Sequence, residues 1–179
     1  VYLLALPKIH IEDVYVKPLV SKNMLEIEVT VQNQTAKKAE IQLQGDIREW
    51  MNRAGTDINS APVPDWTLGN EALSVAPAKV SVAAGTSQKV TLQVPVGKDV
   101  LKYWTPEHPN LYALLLSVKN QKQAVDTKYE RFGWREWTLQ GTTQCLNGEP
   151  YALHGDSWHF MGIPQMTRRY AWAWFTAIK

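Results

Sequence analysis

The chain has 179 residues, 45% of them hydrophobic and 20% charged, a balance that supports a packed core and argues against disorder. Nineteen Lys and Arg against seventeen Asp and Glu leave a formal charge of +2, split as 9 minus 10 over residues 1–90 and 10 minus 7 over 91–179, so neither half has the basic excess expected of a nucleic-acid partner. The longest apolar runs, Tyr112 to Leu116 and Ala171 to Phe175, fall far short of the ~20 residues of a membrane-spanning helix, and the single cysteine, Cys145, excludes an internal disulfide or a cysteine metal cluster within the chain.

The first periodic segment is Ile9 to Val16. From Leu25 to Val31 the alternation is strict: Leu25, Ile27, Val29 and Val31 lie on one side, Glu26, Glu28 and Thr30 on the other. A period of two is the mark of a half-buried strand. Further strands are predicted at Glu40 to Gln44, Val80 to Val82 and Lys89 to Val96, separated by turn formers such as Asn33 to Thr35, Gly55 to Pro64 and Ala83 to Gly85. Short strands with turn signals and no helical pattern between them indicate an antiparallel sandwich. Tyr112 to Val118, apolar on both faces, reads as a central strand. Tyr129 to Leu139 reads as one long strand with a bulge at Gly133. Asn147-Gly148 between short apolar segments is a strong hairpin signal, because both residues tolerate positive φ.

Beyond Leu153 the pattern changes. Gly155 to Gln165 reads as a loop. Met166 to Lys179 is free of Gly and Pro, with Ala171, Trp174, Phe175 and Ile178 spaced as one helical stripe. The expectation is a sandwich over residues 1–147, then the first strand, loop and helix of a second domain over 148–179. A start at Val1 without methionine and a stop at Lys179 inside a helix read as a piece of something longer. A stripe with tryptophans at its edge is expected to pack on the sandwich or to support self-association through the C-terminal helix, since exposed apolar stripes mark missing partner surfaces.

Several residues invite chemistry. Asn70-Glu71 is the one Asn-Glu pair, but with no second carboxylate assignable at the separation glycoside hydrolysis demands, it reads as a solvated turn. Gly155-Asp156-Ser157-Trp158-His159 lacks the glycine after serine that a nucleophile elbow needs. His154, Asp156 and His159 are metal-ligand types, yet their spacing matches no metal signature; a polar pocket without metal is the simpler reading, weighed against histidines that only bond loop carbonyls. Five of the eight tryptophans, Trp134, Trp137, Trp158, Trp172 and Trp174, fall within the last 46 residues. Packing explains them better than sugar stacking, Trp158 excepted. Asn33-Gln34-Thr35 is a formal glycosylation sequon, to which no function is assigned.

Four stretches occur in order: Trp104-Thr105-Pro106-Glu107-His108-Pro109-Asn110-Leu111-Tyr112, Arg131-Phe132-Gly133-Trp134-Arg135-Glu136, Leu146-Asn147-Gly148-Glu149-Pro150, and Leu153-His154-Gly155 running to His159. The set resembles the central region of glycoside hydrolase family 2, the β-galactosidases, β-glucuronidases and β-mannosidases. The resemblance implies an immunoglobulin-like antiparallel β-sandwich followed by a short strand-loop-helix stub of a (β/α)₈ barrel. The Asn-Gly hairpin would lead into barrel strand one.

The family's first barrel strand ends in Arg-Gly-Val-Asn-Arg-His, its last histidine near the sugar. That position is His159 here, with His154, Asp156, Ser157 and Trp158 departing from the pattern. His159, Asp156 and Trp158 are thus the expected substrate contacts in an intact enzyme. The family's two catalytic glutamates have no match in this chain, so the resemblance implies no catalytic residue, no cofactor and no activity of this chain alone. Its partners would be the rest of its own catalytic barrel and a carbohydrate substrate. The competing expectation is a free-standing carbohydrate-binding or adhesion module of immunoglobulin-like fold.

Overall fold

A computed structural model describes Leu3 and residues 5–52, 66–120, 123–153 and 167–177. The described residues cluster into two compact units: residues up to Met51 with Leu68–Tyr151, and Asn52, Trp66, Thr67, Ala152 and Leu153 with 167–177.

The first unit is built on two antiparallel sheets. One has the order β1-β2-β5, with β1 at Ile9–Leu19, β2 at Met24–Asn33 and β5 at Ser87–Pro95; the other is β4-β3-β6-β7, with β3 at Ala39–Asn52, β4 at Trp66–Val82, β6 at Tyr112–Asn120 and β7 at Gln123–Phe132. Residues from both sheets join in a single core cluster, which makes the unit a β-sandwich. The strict alternation of β2 is realised in full: Leu25, Ile27, Val29 and Val31 are 0% exposed. Opposite them lie Leu43 and Ile47 of β3 and Leu114, Leu116 and Val118 of β6, all equally buried. Each such side chain removed from water contributes about 1.5–3 kcal/mol.

The segment Ile9 to Val16 conceals a change of phase. Buried residues are Ile9 and Ile11, then Val14 and Val16. The register with β2 slips between Ile11 and Asp13, so Glu12 is an extra residue that turns the second half of the strand back toward the core. The shift from odd to even apolar positions is the trace of this bulge in the sequence. A matching slip between Val118 and Lys119 marks the β6–β7 ladder. The two irregular edges are joined: the Ile11 N–H donates to Asp126 Oδ2 at 2.7 Å, and Lys128 Nζ donates to the Glu12 carbonyl at 2.9 Å. Edge β4 carries Pro77, a residue tolerated where no ladder partner needs its N–H.

On the outer face of β1-β2-β5, Glu28 bonds both Lys17 and Lys89, and Lys17 also reaches Glu26 at 3.2 Å. Hydrogen bonds from Lys17 and then Lys89 hold the Glu28 carboxyl below its usual range, and those to Glu28 and Glu26 push Lys17 up.

Three sequence expectations are corrected. The strand at Glu40 to Gln44 extends over all of Ala39–Asn52. Asn70 and Glu71 lie inside β4 rather than in a turn, and both are exposed on this edge strand. Tyr129 to Leu139 is not one strand: β7 ends at Phe132, and after Gly133 the chain enters a separate small sheet, order β10-β9-β8, with β8 at Trp137–Gln140, β9 at Thr143–Leu146 and β10 at Glu149–Pro150. The break falls where Gly133 packs against the Trp104 side chain, as described below. The predicted hairpin is present, with φ of 55° at Asn147 and 89° at Gly148, the positive values a two-residue I′ turn requires.

In the second unit, α1 spans Arg168–Ala177, within the expected Met166 to Lys179. Thr167 caps it, its Oγ1 accepting from the Tyr170 N–H at 3.2 Å. Tyr170 and Trp174 stack at i, i+4 with centroids 6.3 Å apart. Of the expected stripe, Ala171 and Trp174 are half-buried, Phe175 is exposed, and Ile178 lies outside the described residues.

Candidate functional site

The expected substrate contacts Asp156, Trp158 and His159, together with His154, lie outside the described residues. Three of the four ordered motifs, by contrast, are described in full, and the fold brings them onto one node around Trp104.

The first motif is a proline-stiffened turn. Thr105 N–H bonds the His108 carbonyl at 3.1 Å, His108 N–H returns to Thr105 Oγ1 at 3.0 Å, and Asn110 Nδ2 donates to the Tyr103 carbonyl at 2.8 Å. A Trp104–Pro109 bridge closes it. Pro106 and Pro109 pre-set φ, lowering the entropy lost on forming the turn. At its end the buried Tyr112 hydroxyl accepts from the Lys102 N–H at 2.8 Å, and burial pushes its pKa up.

The second motif meets the first edge to edge. Tyr103 and Trp134 form a parallel bridge, and the Trp104 N–H donates to the Trp134 carbonyl at 3.0 Å. Trp134 is 3% exposed, part of the core as packing arguments expected. The Arg135 guanidinium sits 4.0 Å from the centroid of the Trp104 ring, a cation–π contact. A Cβ at Gly133 would lie 2.9 Å from Trp104 Cβ and Cγ, so only glycine lets the strand pass. Sequence reading attributed this glycine to bulge angles, whereas its role is close approach.

The third motif locks the other two. Asn147 Nδ2 donates to the Trp104 carbonyl at 3.1 Å, and Asn147 Oδ1 accepts from the Glu136 N–H at 2.9 Å. The Asn147 N–H in turn donates to the Glu136 carbonyl at 2.9 Å. Glu136 reaches across to the 3₁₀ turn at Val20–Lys22, its Oε2 accepting from the Ser21 N–H at 2.7 Å. The hairpin signal at Asn147-Gly148 was legible, but the double use of the Asn147 side chain was not. Its only trace is an Asn-Gly turn that follows two other motifs in order along the chain.

Beside the node lies a cleft of about 330 Å³ flanked by Lys98, Asp99, Lys102 and Tyr103, with the buried Leu101 and Trp134 also lining it. Asp99 is the one carboxylate among its lining residues. Glycoside hydrolysis needs two carboxyl groups about 5–10 Å apart, so this cleft does not supply the chemistry. No group of three or more His, Cys, Asp or Glu suited to a metal ion occurs among the described residues. The site is a structural junction built from backbone bonds, the side chains of Thr105, Asn110, Glu136 and Asn147, and one arginine–tryptophan contact. The sequon is closed as well: Asn33 is 0% exposed, and its Nδ2 bonds the carbonyls of Lys37, Val82 and Ala83 at 2.9–3.1 Å.

Fold and junction together define a mainly-β sandwich domain. Residues 9–135 match the model of the glycosyl hydrolases family 2, and the chain belongs to that family. It is 26% identical over 160 residues to a β-galactosidase of Priestia megaterium, covering 89% of this chain and 14% of that protein. Among solved structures it resembles a β-glucuronidase of Bacteroides uniformis, with TM-score 0.59 and 24% identity over 84% of this chain and 17% of the other. A β-galacturonidase of Eisenbergiella tayi gives TM-score 0.60 and 18% identity, over 81% and 21% of the two chains. The chain therefore spans about a seventh of the curated relative's length.

Proposed function

We propose that this chain is the non-catalytic β-sandwich portion of a retaining β-glycosidase, followed from residue 148 by the start of its catalytic barrel. The parent enzyme hydrolyses O-glycosyl bonds, and this chain alone is inactive. The observation that carries the reading is the convergence of the Trp104, Arg131–Glu136 and Asn147 motifs on one junction, immediately before the chain runs on to Ala152. Such a junction ties off the sandwich at the point in the chain where, on this reading, the barrel begins. Family membership and the chain's small share of its relatives support it further. In the intact enzyme His159, Asp156 and Trp158 face the sugar, on the pattern of the family's first barrel strand. The barrel is the chief partner and carbohydrate the substrate.

The test is direct. The purified chain is assayed with nitrophenyl β-galactoside and β-glucuronide. No turnover is expected, and the parent gene is expected to continue beyond Lys179 into barrel strands bearing two glutamates. Turnover by the chain itself, or a downstream frame without those glutamates, would overturn the proposal.

A further inference from the structure

Asn147 is the one asparagine of the sequence followed by glycine, and the junction hangs on its side chain. We infer that Asn147 is a deamidation site whose reactivity the junction controls. In an Asn-Gly pair the following amide nitrogen meets no side chain on its way to the asparagine amide. The Gly148 nitrogen loses its proton to solvent and forms a bond to Asn147 Cγ; the Cγ–Nδ2 bond breaks and ammonia leaves. Water then opens the cyclic imide at either carbonyl, giving aspartate or isoaspartate. Water and a solvent base are the only co-reactants.

The folded chain opposes this step at two atoms. Nδ2, the leaving nitrogen, is held on the Trp104 carbonyl at 3.1 Å, and Oδ1 accepts from the Glu136 N–H at 2.9 Å. Ring closure requires the amide to turn its face to the Gly148 nitrogen, which means giving up both contacts. Two such bonds correspond to about 30-fold slower reaction in the folded chain than in the unfolded one. The product cannot restore the node. Aspartate puts an acceptor where Trp104 needs a donor, and isoaspartate adds a backbone carbon within a hairpin whose register pairs Leu146 with Glu149. Modification after a transient opening is thus irreversible loss of the junction.

The experiment ages the intact chain in mildly alkaline buffer, with and without denaturant, and follows the Asn147 peptide by mass spectrometry together with exchange of the Trp104 amide. The expected result is conversion about 30-fold slower in the folded chain, faster conversion in Gly133→Ala and Arg135→Ala, and lost Trp104 amide protection in the converted fraction and in Asn147→Asp. Equal rates folded and denatured would overturn the inference, as would converted chains that keep full protection at Trp104. Neither outcome depends on whether a barrel follows the sandwich.

Discussion

Gly133 and Trp104 are packed so closely that a methyl group on the glycine would lie 2.9 Å from two atoms of the tryptophan. The contact lies where β7 ends and the chain passes toward the β8–β10 sheet. Substituting alanine pushes the Trp104 ring away from its place under Arg135. Gly133→Ala is expected to cost about 1–3 kcal/mol, the range for overpacking a tight site. Urea unfolding read by circular dichroism checks this; an unchanged midpoint would show that the ring moves freely.

The clasp between the two bulged edges makes a second prediction. Asp126→Ala leaves the Ile11 N–H without its partner and is expected to cost about 1–3 kcal/mol. Native-state hydrogen exchange should show the Ile11 amide losing protection far more than amides of β2.

Asn33 offers a third. Its side-chain amide bonds three carbonyls, and its Oδ1 accepts from Thr35 N–H and Oγ1. Asn33→Ala removes these bonds and leaves the buried Val82 carbonyl without this donor, so a loss of about 2 kcal/mol is expected, measured as a lower urea midpoint. Expression in a glycosylating host should add no glycan mass at this sequon once the chain has folded.

The pH dependence follows from the ion ladder. Glu28 has a folded pKa below its ordinary value of 4.5, so its contribution is complete above that value and fades as pH falls through the folded pKa. Lys17 and Tyr112 have folded pKa values raised above 10.5 and 10.0, so their contributions are complete below those values and fade as pH rises through the folded ones. Glu28→Gln is expected to flatten the acid limb of a stability profile, and Tyr112→Phe the alkaline limb. Thermal melts across pH in each variant check both signs.

On the function proposed above, His159→Ala in the intact glycosidase is expected to lower kcat/KM by at least about tenfold, as loss of one good polar contact to substrate does. An unchanged kcat/KM would remove His159 from the sugar site.

The order of strands was largely readable because a strand with one buried face carries its burial in its own alternation. Leu25 to Val31 is the plainest case, and every expected inward residue is fully buried. Where burial comes from two sides or from a bulge, the local signal fades. β4 reads weakly from sequence because edge position and Pro77 break its pattern, so Asn70-Glu71 carries no strand signal of its own. The Trp104 junction is visible in the sequence as three ordered motifs but not as one object.

What the sequence determined by itself was thus the class of fold, the hairpin at Asn147-Gly148 and the family resemblance, since these rest on periodicity, on backbone angles and on ordered motifs within short spans. What only the tertiary structure decided was why those motifs contain the residues they do: Gly133 for its missing methyl, Asn147 for both ends of its amide, Asp126 for a distant N–H. Such roles depend on contacts between residues up to 115 positions apart, as with Ile11 and Asp126, and no local pattern in a chain carries the geometry of a partner so remote.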